Sequence, residues 1–193
     1  MCGIVGYVGS KSAPEVIINS LKRLEYRGYD SAGITVNCCG ELFTQKKAGK
    51  IAALESVLDY NKIGSCNTGI GHTRWATHGE PNDINAHPHM DCDNNLALIH
   101  NGIIENYKDI KEVLLKRGHV FRSETDTEVL VHLIEHYCRE LPLLDAVISA
   151  LQSVEGTYAI VVMSKQEPDL LIAARKGSPL ILGIGENEML IGS

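Results

Sequence analysis

The sequence has little of what would place this chain in a membrane, on a nucleic acid or in a framework of disulfides. Among its 193 residues no stretch approaches the roughly 18 consecutive apolar residues that span a bilayer, and no basic segment followed by an apolar run opens the chain. A soluble cytoplasmic protein is the expectation. Basic charge is also scarce, with 18 Lys and Arg against 24 Asp and Glu and a net charge of -6. The basic residues are dispersed, whereas a nucleic-acid footprint needs them clustered. There is no Gly-x-Gly-x-x-Gly after a strand and no Walker loop, and Gly183-Ile184-Gly185 lies between two apparent strands. Nucleotide binding has no support, and no cofactor is expected.

Cysteine is present without a pattern. Cys2, the adjacent Cys38-Cys39, Cys66, Cys92 and Cys138 include no Cys-x-x-Cys and no regular spacing. A chain of this length buries roughly 70% of its unfolded surface without covalent staples. Reduced intracellular thiols and no structural zinc site are therefore expected. No repeat, low-complexity segment or linker divides the chain, so it reads as one domain, or one domain missing its end.

What is present groups into blocks of strands and helices. The first strand runs from Cys2 to Val8, and Pro14 opens a helix to about Tyr26 with Ile17, Leu21 and Leu24 on one face. Strands near Ala32 to Asn37 and Glu41 to Lys47 form a hairpin around Gly40, and a short helix covers Ile51 to Tyr60. A strand at Thr68 to Thr73 leads into a polar loop from Trp75 to Asn94, a length more often functional than idle. Another strand, Asn95 to His100, runs into Asn101-Gly102. Asn106 caps a helix that Gly118 ends, Thr125 and Glu128 have capping-box spacing before a helical stripe, and a third helix spans Pro142 to Gln152. Apolar runs at Thr157 to Met163, Leu170 to Ala174, Leu180 to Leu182 and Met189 to Ile191 read as successive antiparallel strands. Grouped rather than alternating elements predict an α+β fold and argue against a doubly wound parallel sheet.

Met1-Cys2 is the most telling dipeptide. If the initiator methionine is removed, a thiol and a free α-amino group belong to one residue, with ordinary pKa values of about 8.5 and about 7.7 to 8.0. They are close enough for proton exchange near neutral pH, which makes a nucleophile with its own base. Three polar constellations accompany it, each open to a structural reading. In His72-Thr73-Arg74-Trp75-Ala76-Thr77-His78-Gly79 an Arg at a strand end can hold a carboxylate by two parallel hydrogen bonds or form a surface ion pair. In His100-Asn101-Gly102 the Asn amide and the Gly N–H can face one oxyanion, or the pair can simply turn the chain. In Ser123-Glu124-Thr125-Asp126-Thr127-Glu128, Asp126 can accept a substrate ammonium or complement a helix N-terminus. His72, His78, His87, His89 and His100 crowd one third of the chain, but without metal-ligand spacing they read as satisfying loop hydrogen bonds, and no metal is expected.

Together with Cys2-Gly3-Ile4-Val5-Gly6, Arg27-Gly28-Tyr29-Asp30-Ser31-Ala32-Gly33 and Asn85-Ala86-His87-Pro88-His89, these segments resemble, in order along the whole chain, the glutaminase domain of the glucosamine-6-phosphate synthase family. That family is one branch of the class II glutamine amidotransferases. The amidophosphoribosyltransferase branch would show Arg-Gly-Gln-Asp and Arg-Tyr where this chain has Arg27-Gly28-Tyr29-Asp30 and Arg74-Trp75. The resemblance implies a four-layer αββα N-terminal nucleophile hydrolase fold, with two antiparallel sheets between helical layers. It implies that Cys2 attacks the side-chain amide of L-glutamine while Asn101 and the Gly102 N–H hold the oxyanion. Arg74 is then the anchor for the α-carboxylate and Asp126 for the α-ammonium. Thr77 and His78 line the pocket, Trp75 gates the ammonia exit, and the loop from Arg74 to about Asn82 closes over substrate. It also implies partners: isomerase domains of the same, homo-oligomeric polypeptide, which bind fructose 6-phosphate and receive the ammonia. The chain is expected to stop inside the domain's last strands, which leaves a rival reading in which it binds glutamine or a partner domain without turnover.

Overall fold

The computed structural model describes residues 2–75 and 79–193. Strand β1 (Gly3–Gly9) is apolar almost throughout because both its faces are covered: Val5 and Tyr7 turn to a helical layer and Ile4 to the facing sheet. Helix α1 (Ala13–Leu24) starts with Pro14 in its first turn, where no amide partner is lost, and buries Ile17, Ile18 and Leu21. A 3-10 turn, Glu25–Arg27, closes it. Strands β2 (Ser31–Cys38) and β3 (Glu41–Ala48) form the expected hairpin, with Gly40 at φ +83° in its turn. The helix expected over 51–60 is two short pieces, α2 (Ile51–Glu55) and α3 (Tyr60–Ile63), because the Asp59 carboxylate accepts the Asn61 N–H and starts a new turn there. Strand β4 (Thr68–Arg74) follows.

The segment read as one long loop contains β5 (His89–Met90), too short to show alternation, paired with β6 (Leu96–Ile104). Asn101-Gly102 does not turn the chain. Strand β6 runs straight through it, with the backbone switched locally to φ +132° at Gly102. Helices α4 (Tyr107–Lys116), α5 (Asp126–Cys138) and α6 (Leu143–Gln152) come next, then β7 (Gly156–Ser164), β8 (Leu171–Lys176), β9 (Ile181–Gly185) and β10 (Glu188–Gly192). Asn106 does precede α4, but its side chain makes no cap. It bonds instead to Ser153 O and Glu155 N, tying the start of α4 to the end of α6. Thr125 does cap α5 by accepting the Glu128 N–H at 3.3 Å.

The strands make two sheets, both wholly antiparallel, of order β3-β2-β4-β1-β10-β9 and β5-β6-β7-β8. The last four strands are therefore not one meander: β7 and β8 finish the small sheet, and β9 and β10 return to the large one beside β1. Three apolar clusters define the layering. Ile17, Leu21 and Leu54 pack on one face of the large sheet; Ile4, Ile70, Ile99 and Val161 fill the space between sheets; Leu98, Ile160 and Val162 carry α4, α5 and α6 on the far side. This is the expected α+β arrangement in four layers, αββα. Gly71 shows how tightly α1 lies on the sheet, since a Cβ there would strike the Ile17 side chain. Among the described residues no helix is long and apolar enough to cross a membrane.

The expectation of free thiols is overturned. Cys38 and Cys66 form a disulfide, with Cα atoms 4.9 Å apart, rather than standing as free thiols. They lie 28 residues apart, but β2 pairs with β4 and the Asn37–Thr68 register brings the strand ends together. Sequence spacing alone could not display that adjacency.

Candidate active site

Alternation along β4 sets the first side of the site. Ile70, His72 and Arg74 face the space between the sheets, while Gly69 and Gly71 lie under α1. Strand β1 runs beside β4 with Gly3 opposite Thr73, and the Gly3 N–H donates to Thr73 Oγ1 at 3.1 Å. This register places Cys2 at the strand's end beside Trp75. The Trp75 N–H points at Cys2 Sγ at 3.2 Å. Burial pushes the Cys2 thiol up, and that backbone hydrogen bond pulls it back toward the thiolate.

The second sheet supplies the other wall. Asn101, on β6, donates from Nδ2 to Cys2 O at 3.1 Å and to Ser193 Oγ at 3.3 Å, and its Oδ1 lies 2.9 Å from His72 Nε2. Burial lowers the His72 pKa to about 4, so the ring is neutral near pH 7 and holds one proton. With Asn101 oriented this way, that proton sits on Nε2, donated to Oδ1, and fixes the amide with its NH2 toward Cys2. Asn101 is thus aimed by a buried imidazole. The third contributor is the N-terminal turn of α5, where Asp126 Oδ2 accepts the Ile104 N–H at 2.8 Å and Thr127 Oγ1 links His87 and His100 at 2.9 and 3.0 Å.

A cavity of about 390 Å³ opens between these pieces. Cys2, Arg74, Trp75, Asn101, Gly102 and Asp126 line it, so every expected site residue within the described segments reaches one space. Thr77 and His78 lie outside the described residues. Arg74 is 4% exposed and donates to the carbonyls of Gly79 and Glu80 at 3.2 and 3.4 Å, which excludes its reading as a surface ion pair. Trp75 is half exposed at the rim and meets Tyr29 edge-on, ring centroids 5.5 Å apart. Arg27, Thr125 and Thr127, which stand in the quoted segments without a site role, also line the cavity, as do Ser178 and Ser193, which the sequence does not single out. Nor does it single out His72 as the residue that orients Asn101. A signal for it exists in the two-residue spacing from Arg74, which puts both on one face of a strand.

The cavity has ample room for an amino acid. It holds a thiol, an amide donor, a buried guanidinium and a buried carboxylate, groups that an acyl transfer on a zwitterionic amino acid can use. Gly102 has no latitude there: a Cβ at φ +132° would strike Thr157 O on β7. Gly102→Ala is expected to cost about 3 kcal/mol or more in stability, measured by urea unfolding. A change under about 0.5 kcal/mol, the range of a neutral surface substitution, would show that the strand relaxes around the new methyl.

The chain matches the model of the glutamine amidotransferase domain over residues 59–193. The glutamine–fructose-6-phosphate aminotransferases [isomerizing] of Pyrococcus horikoshii and Thermotoga maritima are each 55% identical to it over 194 residues, covering all of this chain and 32% of theirs. That of Clostridium perfringens is 51% identical over 193 residues, with 31% of its length covered. The chain thus spans about a third of the length of the curated relatives it matches. Among solved structures, the glutamine phosphoribosylpyrophosphate amidotransferase of B. subtilis superimposes with a TM-score of 0.85 at 29% identity, over 99% of this chain and 41% of that one. An allosteric regulatory enzyme of purine biosynthesis superimposes with a TM-score of 0.87 at 31% identity, over 100% and 42%. By fold and by sequence, this chain belongs to the glutamine amidotransferase family, with the N-terminal nucleophile hydrolase architecture.

Proposed function

We propose that this chain hydrolyses the side-chain amide of L-glutamine to glutamate and ammonia through a γ-glutamyl thioester on Cys2. The observation that carries the reading is Cys2 Sγ at the cavity wall, hydrogen-bonded by the Trp75 N–H, with the Asn101 amide donating to the carbonyl of the same residue. The α-amino group of Cys2, free once Met1 is removed, takes the thiol proton as sulfur attacks the amide carbon. Asn101 Nδ2 and the Gly102 N–H then hold the oxyanion. The same proton leaves with the amide nitrogen as ammonia. Water then attacks the thioester, its hydroxyl completing glutamate and its proton returning to the terminus.

Arg74 receives the α-carboxylate and Asp126 the α-ammonium, which fixes the side-chain amide at Cys2. Thr77 and His78 belong to the same pocket in this reading, Trp75 gates the exit, and the segment from Arg74 to Asn82 closes over substrate. The ammonia serves the isomerase part of a longer, homo-oligomeric cytoplasmic polypeptide and converts fructose 6-phosphate to glucosamine 6-phosphate. The names and greater length of the curated relatives support a longer polypeptide with an isomerase part that acts on fructose 6-phosphate.

The assay is glutamate and ammonia release from L-glutamine, with the N-terminal mass of the sample determined in parallel. Turnover by protein lacking Met1, and none by protein retaining it, is the expected result. Arg74→Ala tests the substrate assignment. Removing a buried partner of a charge pair costs about 2 to 5 kcal/mol, so the KM for glutamine should rise at least about tenfold. A loss of thermal stability with an unchanged KM would make Arg74 a structural clamp for the loop.

A further inference from the structure

Away from the cavity, one cluster of side chains has no work in glutamine hydrolysis. Cys92 lies in the turn between β5 and β6, His119 just past α4, and His132 and Glu135 one turn apart on α5. Their donor atoms all lie within 4.8 Å of one another. Cys92 Sγ is 3.5 Å from His132 Nδ1 and 3.9 Å from His119 Nδ1, and each Nδ1 is 2.9 Å from the same Glu135 oxygen. Three segments distant in sequence thus present one sulfur, two imidazole nitrogens and one carboxylate oxygen to a single point. We propose that Cys92, His119, His132 and Glu135 form a tetrahedral site for a divalent cation of the Zn2+ class, which fastens the β5–β6 turn and the chain after α4 to helix α5.

Four of the six separations between the donor atoms come close to what such an ion needs, and all six are within 4.8 Å. Ligands about 2.0 to 2.3 Å from a tetrahedral Zn2+ stand about 3.3 to 3.7 Å from each other. The two sulfur–nitrogen separations lie close to that range, and the nitrogen–oxygen pairs need to open by only a few tenths of an ångström. The donor set is also chemically apt: thiolate and imidazole favour Zn2+ over Mg2+ or Ca2+. A thiolate and a carboxylate neutralise the two charges of the cation, so the buried site carries none in excess.

The imidazoles add a second observation. The side chains of His119 and His132 are 0% and 1% exposed, and the Nε2 atom of each is buried without a hydrogen-bond partner. Both rings therefore spend their Nδ1 atoms on one point and leave the far nitrogen unused. With a cation at Nδ1 the ring proton sits on Nε2, and that of His132 faces Glu128 Oε1 at 3.8 Å, the carboxylate–imidazole–metal order that orients ligands elsewhere. Asp91 sets the turn, its Oδ1 accepting the N–H groups of Asn95 and Leu96 at 2.7 and 2.9 Å, and this holds Cys92 over α5. No sequence motif announces the site, because its ligands join loop, loop and helix at unrelated spacings.

The test uses Cys2→Ala protein, so that the amine and thiol of the N-terminus cannot themselves chelate. Zn2+ is added, unbound metal is removed and the remainder is counted by elemental analysis. About one equivalent per chain is expected, falling below about a tenth when Cys92→Ser is added. Co2+ in the same protein should give the intense visible bands of a tetrahedral ion and a thiolate charge-transfer band, both lost with Cys92→Ser. Should that variant not fold, Glu135→Gln takes its place, with Zn2+ affinity expected to fall at least about tenfold. Less than a tenth of an equivalent in the Cys2→Ala protein, or the same stoichiometry and spectrum in the ligand variants, would overturn the proposal and leave a hydrogen-bonded cluster.

Discussion

Replacing Cys2 by alanine should lower the kcat for glutamine hydrolysis at least about 10⁴-fold, because removing a covalent nucleophile leaves only the oxyanion donors and substrate positioning. The expected loss is selective. Cys2 is partly exposed, and its Sγ accepts from the Trp75 N–H at 3.2 Å and donates to the Trp75 carbonyl at 3.5 Å. Losing these exposed sulfur contacts costs about 1 kcal/mol, too little to unfold the domain. Arg74, Asp126, Asn101 and Gly102 stay in place, so the Kd for glutamine, read by calorimetry, should change by less than about threefold, under 1 kcal/mol. Cys2→Ala protein that still turned glutamine over at a tenth of the parental rate would remove Cys2 from the chemistry. Protein that had lost both turnover and binding would instead make Cys2 part of the pocket's framework.

The second large effect is a loss of stability in mild acid. His72 is fully buried, and burial drops its pKa from 6.5 to about 4. His87 and His100, also buried, shift the same way, burial again being the main cause. Above pH 6.5 the His72 ring is neutral folded or unfolded, and the shift costs nothing. Between pH 6.5 and 4 the unfolded chain takes up a proton that the folded chain refuses, so stability falls as pH falls. The loss is about 1.4 kcal/mol per unit and about 3 kcal/mol by pH 4 for His72 alone. In a protein of this size that is a fall in Tm on the order of 10 °C. His72→Gln keeps a donor for Asn101 Oδ1 without the titration. Its Tm should be lower than the parent's at pH 7.5, with the gap narrowing toward pH 4.5. Parallel Tm curves would show that His72 is not the acid-sensitive group.

His72 also marks where sequence reasoning reaches its limit. Cys2, Arg74, Asn101, Gly102 and Asp126 each carry a chemistry that the local pattern offers beside a structural alternative, and it is the resemblance along the whole chain that draws them into one expected site. What orients them was not legible, since the His72–Asn101 bond crosses from one sheet to the other over 29 residues. The same holds for the Cys38–Cys66 bridge, created by β2–β4 pairing, and for the Cys92, His119, His132 and Glu135 cluster. The elements themselves were mostly readable from periodicity and caps. Strand β5 escapes because two residues carry no period, and Asn101-Gly102 is ambiguous because the positive φ that glycine permits serves a residue inside a strand as well as a turn.

The most direct measurement of the central claim is the mass of the protein caught during turnover. Protein lacking Met1 is mixed with L-glutamine, quenched in acid within a turnover, and its intact mass and proteolytic peptides are determined. The account predicts a glutamyl adduct confined to the peptide that begins at Cys2, absent from Cys2→Ala and released by hydroxylamine as a thioester. Glutamate production with no adduct at Cys2, or with an adduct on another residue, would contradict it.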